Sequence, residues 1–301
     1  MEWRTKITDL LGCKYPILLG AMHRLGVWQF AAAIAEAGGH GVITASASKT
    51  PGQLRDDIRR CKDATNGTFG VNLSIGVCPR IDEMLEVCIA EQVPVETALY
   101  KSDALASRIK QSGVKWIHKS ARVKDAIHAQ SLGVDAVILV GLEGAGIKHP
   151  AQLPTMTTIR HAARSLSVPV IAAGGIGDGH GFLGALVLGA EGIMMGSAFL
   201  TTKESPVSRQ YKEMMLKYNL NNPEFRNRVL TPKLVNLKAP LDENEKDYLE
   251  KSKAGVGDLH YANMVSFAVA GVHEVLSVKE LVEKITSEAE GILKGWQFLK
   301  N

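Results

Sequence analysis

The 301-residue chain has few thiols: Cys13, Cys61, Cys78 and Cys88, with no CxxC pair among them. No His-rich segment accompanies them, so a zinc site or a dithiol redox motif has no ligand set, and no metal is expected. Scattered single thiols fit a reducing compartment, so the expected location is cytoplasmic. Long apolar runs are missing too. None approaches the roughly 18 residues needed to span a bilayer. The N-terminal MEWRTKITDLLG lacks the apolar stretch of a signal peptide or anchor, so no membrane association is expected. The net charge is only +4, without a basic stripe, which argues against nucleic acid as a partner while favouring a small anion. Disorder is excluded by a hydrophobic fraction of 46% against 22% charged residues.

What is present is a repeat. From Pro16 to Leu200 short apolar runs alternate with amphipathic segments. The runs are PILLGAM (16–22), GVITA (41–45), FGVNLSI (69–75), PVETA (94–98), VKWIHKS (114–120), DAVILVG (135–141), PVIAAGG (169–175) and GIMMGSAFL (192–200). Each is too short for a typical helix, and several are β-branched, as strands buried on both faces are. Between them, pairs such as Leu54/Ile58, Leu105/Ile109 and Val123/Ile127 have helical spacing. The helices stop at Gly38, Gly113, Gly133 and Gly189, where glycine supplies a left-handed residue at low cost.

Eight strands alternating with helices predict parallel pairing and right-handed crossovers. A (β/α)8 TIM barrel of roughly 200 to 250 residues fits this region with its flanks. The rival, an open doubly wound sheet, would place a GxGxxG fingerprint after the first strand, and GAMHRLG (20–26) is not one. The barrel is therefore assigned to residues 1–202 and 262–301. The polar stretch 203–261, with LDENEKDYLEKSKAG (241–255) its most charged part, reads as a helical cap excursion after the eighth strand. From Ser277 onward, Val278, Leu281, Val282, Ile285, Ala289, Ile292 and Trp296 predict a closing helix.

Barrel sites lie at strand C-termini. There the sequence concentrates glycine, in GLEGAGIKHP (141–150), AAGGIGDGHG (172–181) and MMGSAF (194–199). Such turns let backbone N–H groups approach an anion, and the loops after strands seven and eight are the usual phosphate site of barrels. Gly174, Gly175, Gly196 and Ser197 are thus candidates for a phosphate cradle; tight turns alone would also use glycine. Lys119, ending the fifth strand, would meet a phosphate or developing negative charge, or else pair with a rim carboxylate. His118 points to the opposite face and is read as structural. Asn72 and Ser74 share one face of the third strand and need polar partners.

In this order, PILLGAM, AAAIAEAGGHG, FGVNLS, VKWIHK, LGVDAV, VPVIAAGGIGDG and LGAEGIMMGSAFLTTKES resemble signature stretches of the nitronate monooxygenases, formerly called 2-nitropropane dioxygenases. The resemblance spans about residues 4 to 207. It implies a TIM barrel that holds FMN non-covalently. It carries flavin contacts to Ala21, Met22, His23 and Ser74, to Lys119 and Gly146, and to Gly174, Gly175, Gly196 and Ser197. One departure stands out. The family's sixth-strand loop reads like GxExGGH, its histidine accepting a proton from substrate, whereas here Ile147 occupies that position and His149 follows two residues later. His149 is the candidate catalytic base if it swings into place; otherwise it is a solvated loop residue, and only substrates already in the anionic form are handled.

The expected reaction is oxidation of a nitronate to a carbonyl compound and nitrite with O2, on a small-molecule substrate; a homodimer stays open. Two alternatives remain: an NAD(P)H-dependent enoyl-thioester reductase of the same superfamily, and a flavin-binding protein without turnover.

Overall fold

A computed structural model describes residues 2–231 and 265–296. The chain enters through a short helix α1 (Lys6–Leu11), which precedes β1 (Ile17–Leu19). Helix and strand then alternate: α2 (Trp28–Glu36), β2 (His40–Thr44), α3 (Pro51–Ala64), β3 (Thr68–Ser74), α4 (Ile81–Ala90), β4 (Val95–Ala98), α5 (Asp103–Ser112) and β5 (Trp116–Ser120). The second half continues with α6 (Val123–Leu132), β6 (Ala136–Val140), α7 (Thr155–Ser165), β7 (Val170–Ala173), α8 (Gly179–Val187) and β8 (Gly192–Met195). All neighbouring strands pair in parallel, and β8 returns to β1 with Ile17 opposite Ile193 and Leu19 opposite Met195, closing the barrel.

The (β/α)8 expectation is therefore met, with local corrections. The eighth apolar run is not all strand. It ends at Met195, and Ser197–Leu200 turns into a one-turn helix α9. In α6 the buried stripe is Val123, Ala126 and Ala129, while Ile127 is exposed.

Alternation sorts the strand residues. Leu18, Ile117, Ala136, Ile138, Ile171 and Met194 pack with one another inside the barrel. Ile7 and Leu11 of α1 join that cluster, so the helix closes the barrel's N-terminal end. Its ends are fixed locally, by a Thr5–Thr8 capping box and by Gly12 in the left-handed region. The outward residues of the strands, Val71, Leu73, Val95, Val137 and Leu139 among them, meet the surrounding helices in the larger core.

The closing helix α12 (Val278–Gly295) starts at a second capping box, Ser277 with Glu280, and buries Val278, Leu281, Val282, Ile285 and Ala289. Trp296 falls just beyond it, half exposed. Before it, α10 (Arg209–Met215) and α11 (Pro223–Leu230) bury Tyr211, Met215, Phe225 and Val229 against Leu25, Leu200, Val265 and Val269. Residues 232–261 of the expected cap, including 241–255, lie outside the described residues.

Helix α2 lies so close to β2 that a Cβ at Gly41 would sit 2.2 Å from the Ala31 carbonyl oxygen. Backbone cannot yield there as a side chain would. Gly41→Ala is expected to cost about 1–3 kcal/mol through overpacking, read as a lower urea midpoint; an unchanged midpoint would show that the contact relaxes freely.

Candidate active site

The C-terminal ends of the strands surround one cavity. Its walls include Gly20, Ala21, Met22 and His23 after β1, Asn72 and Ser74 from β3, and Lys119 from β5. Gly144, Gly146 and Ile147 come from the loop after β6, Gly174 follows β7, and Gly196 and Ser197 follow β8. Nine of the ten residues expected around the cofactor line this cavity, and only Gly175 of the ten stays off the wall.

Each position has a local cause. The loop after β1 turns tightly, the Leu25 and Gly26 amides both donating to the Met22 carbonyl, and Met22 N donates to Thr44 Oγ1 at 3.3 Å. His23 is held by Ser46, its Nδ1 lying 3.0 Å from the hydroxyl oxygen. Burial, aided by Arg24, lowers its pKa, which favours the neutral ring. Gly174 is left-handed with φ 101, and a Cβ there would lie 3.0 Å from both Gly141 O and Gly144 N, so the turns after β6 and β7 touch only because it is glycine. Gly175 is also left-handed, but its free side faces Glu143, which accepts hydrogen bonds from Thr155 N and Oγ1 at 2.8 and 2.7 Å.

Two expectations separate here. His118 is structural: its Nδ1 lies 2.8 Å from Thr97 Oγ1, which also accepts from Trp116 Nε1, and burial pushes its pKa down to about 4. His149 is not brought to the main cavity. Its Nδ1 accepts from Ala151 N at 2.9 Å, and it lines an adjoining depression with Ser120, Arg122 and Gln152, which shares Lys119 and Ile147 with the cavity wall. The reason is Lys148, whose buried ammonium donates to the carbonyls of Leu142 and Val229, pinning the loop to α11 and leaving Ile147 on the cavity wall. Burial also raises the thiols, Cys13 to about 11 and Cys61 and Cys78 to about 12, so none of these is a thiolate nucleophile at neutral pH.

A polar chain runs beneath the cavity. Ser74, Ala98, Lys119 and Ile138 share one row inside the barrel, and Asn72, Glu96 and Ile117 the row below. Ser74 Oγ donates to Asn72 Oδ1 at 2.7 Å, and Asn72 Nδ2 donates to Glu96 Oε1 at 2.9 Å. Glu96 is buried, and that desolvation pushes its pKa up to about 7 against the opposing pull of Lys119 and Asn72. Sequence reasoning passed over Glu96. Its signal was present, a carboxylate on the inward parity of PVETA, two residues before Ala98. It also passed over Leu99, whose φ of 80 is strained for a branched side chain at the cavity rim.

The wall suits a flavin phosphate and ring. A Cβ at Gly196 would project into the open cavity, its nearest neighbour Met22 Sδ at 3.8 Å, and one at Gly146 would meet nothing within 4 Å. These turns leave room for a bound group. Ser197 opens α9, so the leading N–H groups of that turn lack helical acceptors, and Ser197 itself lines the cavity. Among the described residues no cluster of three or more His, Cys, Asp or Glu could hold a metal, and no helix is long and apolar enough to cross a membrane.

Fold and cavity thus define a (β/α)8 barrel with a glycine-lined cavity at its C-terminal face. The model of the nitronate monooxygenase family matches residues 4–87 and 75–288. A probable nitronate monooxygenase of Staphylococcus aureus is 30% identical over 257 residues, 71% of this chain and 72% of that protein. A 5-hydroxy-7a-methyl-1-oxo-octahydro-1H-indene-4-carboxyl-CoA dehydrogenase of Mycobacterium tuberculosis is 34% identical over 231 residues, 76% of this chain but only 64% of that protein's length. FabK of Thermotoga maritima superposes with a TM-score of 0.82 at 31% identity, covering 97% of this chain and 98% of that one. The chain belongs to the nitronate monooxygenase family.

Glu96 has a measurable consequence for stability. Its folded pKa of about 7 lies above the ordinary 4.5. The stability it permits is present below pH 4.5 and is lost as pH rises through 7, by about 3 kcal/mol in all. Glu96→Gln is expected to flatten that decline, so that the variant gains on the parent between pH 5 and 8. Parallel urea-stability profiles for the two would refute the buried, protonated carboxyl.

Proposed function

We propose that the chain binds FMN and oxidises nitronates to carbonyl compounds and nitrite with molecular oxygen. The observation that carries this reading is Ile147 on the cavity wall, where the family pattern has a proton-accepting histidine. A nitronate is already an anion and needs no proton removed. The match to the S. aureus protein supports the same substrate class.

The flavin, when bound, supplies the redox chemistry. The chain does the rest. Gly174, Gly196 and Ser197 would take the phosphate, and Ala21 and Met22 would pack on the ring. Lys119 would offer positive charge where negative charge develops, and would attract the anionic substrate. Leu25 and Leu200, which line the cavity and pack with α10 and α11, would exclude water. A mononucleotide is preferred over FAD because one pair of adjacent glycine turns forms one cradle and no dinucleotide fingerprint follows a strand. Denaturing the protein and chromatographing the released flavin is expected to yield FMN; recovery of FAD would overturn this part.

A second reading, enoyl-thioester reduction with NAD(P)H, is supported by the near-complete match to FabK. The two are separated by anaerobic flavin reduction. The parent is expected to be reduced by a preformed nitronate far faster than by the neutral nitroalkane, because general-base help worth about 10²- to 10⁴-fold is missing. Ile147→His is expected to recover part of that factor, and His149→Ala to change nothing, since His149 lies off the cavity. Equal rates with both substrate forms would contradict the proposal. Reduction by NAD(P)H alone, with neither form active, would put the second reading first.

A further inference from the structure

One buried titratable group has no part in the reading above. Glu96 sits inside the barrel, one row beneath Lys119, with its carboxylate accepting from Asn72. A carboxyl in that position is costly in a barrel interior whose apolar side chains include Leu18, Ile117, Ile138 and Met194. Nothing in the packing demands it. What it does reach is the cavity floor by two routes: through Asn72 to the Ser74 hydroxyl, and by charge to Lys119.

We propose that Glu96 is a positioning residue for the flavin, a buried counter-charge that sets how much of the Lys119 positive charge the cavity floor presents to the ring. The proposal rests on the flavin-dependent activity and goes beyond it. With Glu96 ionised, Lys119 is compensated and the floor is close to neutral. With Glu96 protonated, the full positive charge of Lys119 faces the cavity. Because the interior is poorly solvated, the difference is felt at the ring rather than screened away.

The groups that could compete are few. From β3 only the uncharged Asn72 and Ser74 face Glu96, and from β5 the charged group is Lys119. Deeper in the barrel, His40 is held by Thr68 and stays neutral, its pKa lowered to about 4 by burial, while the Cys13 thiol is raised to about 11. His23 at the rim is lowered as well. Glu96 is thus the group whose charge changes near neutral pH beneath the cofactor; burial brings its pKa to about 7.

Reduction places more negative charge on a flavin, so a neutral Glu96 favours the reduced form and an ionised one opposes it. By reciprocity, reduction should raise the protonation of Glu96. The experiment is the midpoint potential of the bound flavin in the holoenzyme, for the parent and Glu96→Gln, at pH 5.5 and pH 8. The expected result is coincident potentials at pH 5.5 and a higher potential for the variant at pH 8. A tenfold shift in relative affinity for the reduced form corresponds to about 30 mV for the two-electron couple. Equal potentials at pH 8 overturn the proposal. So does an equal offset at both pH values, which would mean displaced side chains rather than a lost charge.

If the variant fails to hold flavin, the parent decides. Its reduced-minus-oxidised infrared spectrum at pH 7, with glutamate carboxyl isotope labelling, is expected to show a gain of protonated carboxyl. No carboxyl change there overturns the proposal. A parent that binds no flavin at all after reconstitution overturns the cofactor reading as well, an outcome distinct from unchanged potentials.

Discussion

Barrel closure is the constraint on which the site depends. The pairing of β1 with β8 places Leu19 opposite Met195, and with it the turn at Ala21 and Met22 beside the turn at Gly196 and Ser197. These segments are far apart in the chain. A parallel sheet that closes has no edge to leave unpaired, so every backbone group of its strands is satisfied and the C-terminal ends converge on one opening. The glycine turns after β6, β7 and β8 become one wall for the same reason. Gly174 shows how tight that convergence is, since any side chain there would strike the neighbouring loop.

Within this frame the interior is divided by depth. The N-terminal end is sealed by α1 and filled with aliphatic side chains. The C-terminal end holds the polar chain from Ser74 through Asn72 to Glu96, with Lys119 above it. A buried polar chain is tolerated when its members satisfy one another. Here it also places a carboxyl and an ammonium group directly under the cavity.

The loop after β6 gives the chain its individual character. Lys148 anchors it to α11 and turns His149 away, so the wall receives Ile147 instead of an imidazole. The imidazole that does reach the cavity is that of His23, kept neutral by burial and by Arg24. The family's histidine position on this loop is thus filled by an apolar side chain.

The periodic runs and glycine stops were enough to read eight strands and their parallel order, because burial on both faces and helix termination are local demands written in residue type. The split of Ser197–Leu200 from β8, and the exposure of Ile127, were not legible. An apolar run does not reveal whether its last residues stay extended, nor a helical stripe which way it is rotated; the packing partners decide both. Glu96 was visible as a charge in an apolar strand, yet its role required knowing that β3, β4 and β5 align Asn72, Glu96 and Ile117 in one row with Lys119 above. His149 was within two residues of the family position, and only the Lys148 anchor to α11, some eighty residues onward, showed that it faces elsewhere. Residue type along the chain determined the barrel and where its glycine turns fall. Which side chains face the cavity was decided by register and by long-range contacts, since a single residue's shift moves a side chain to the other face.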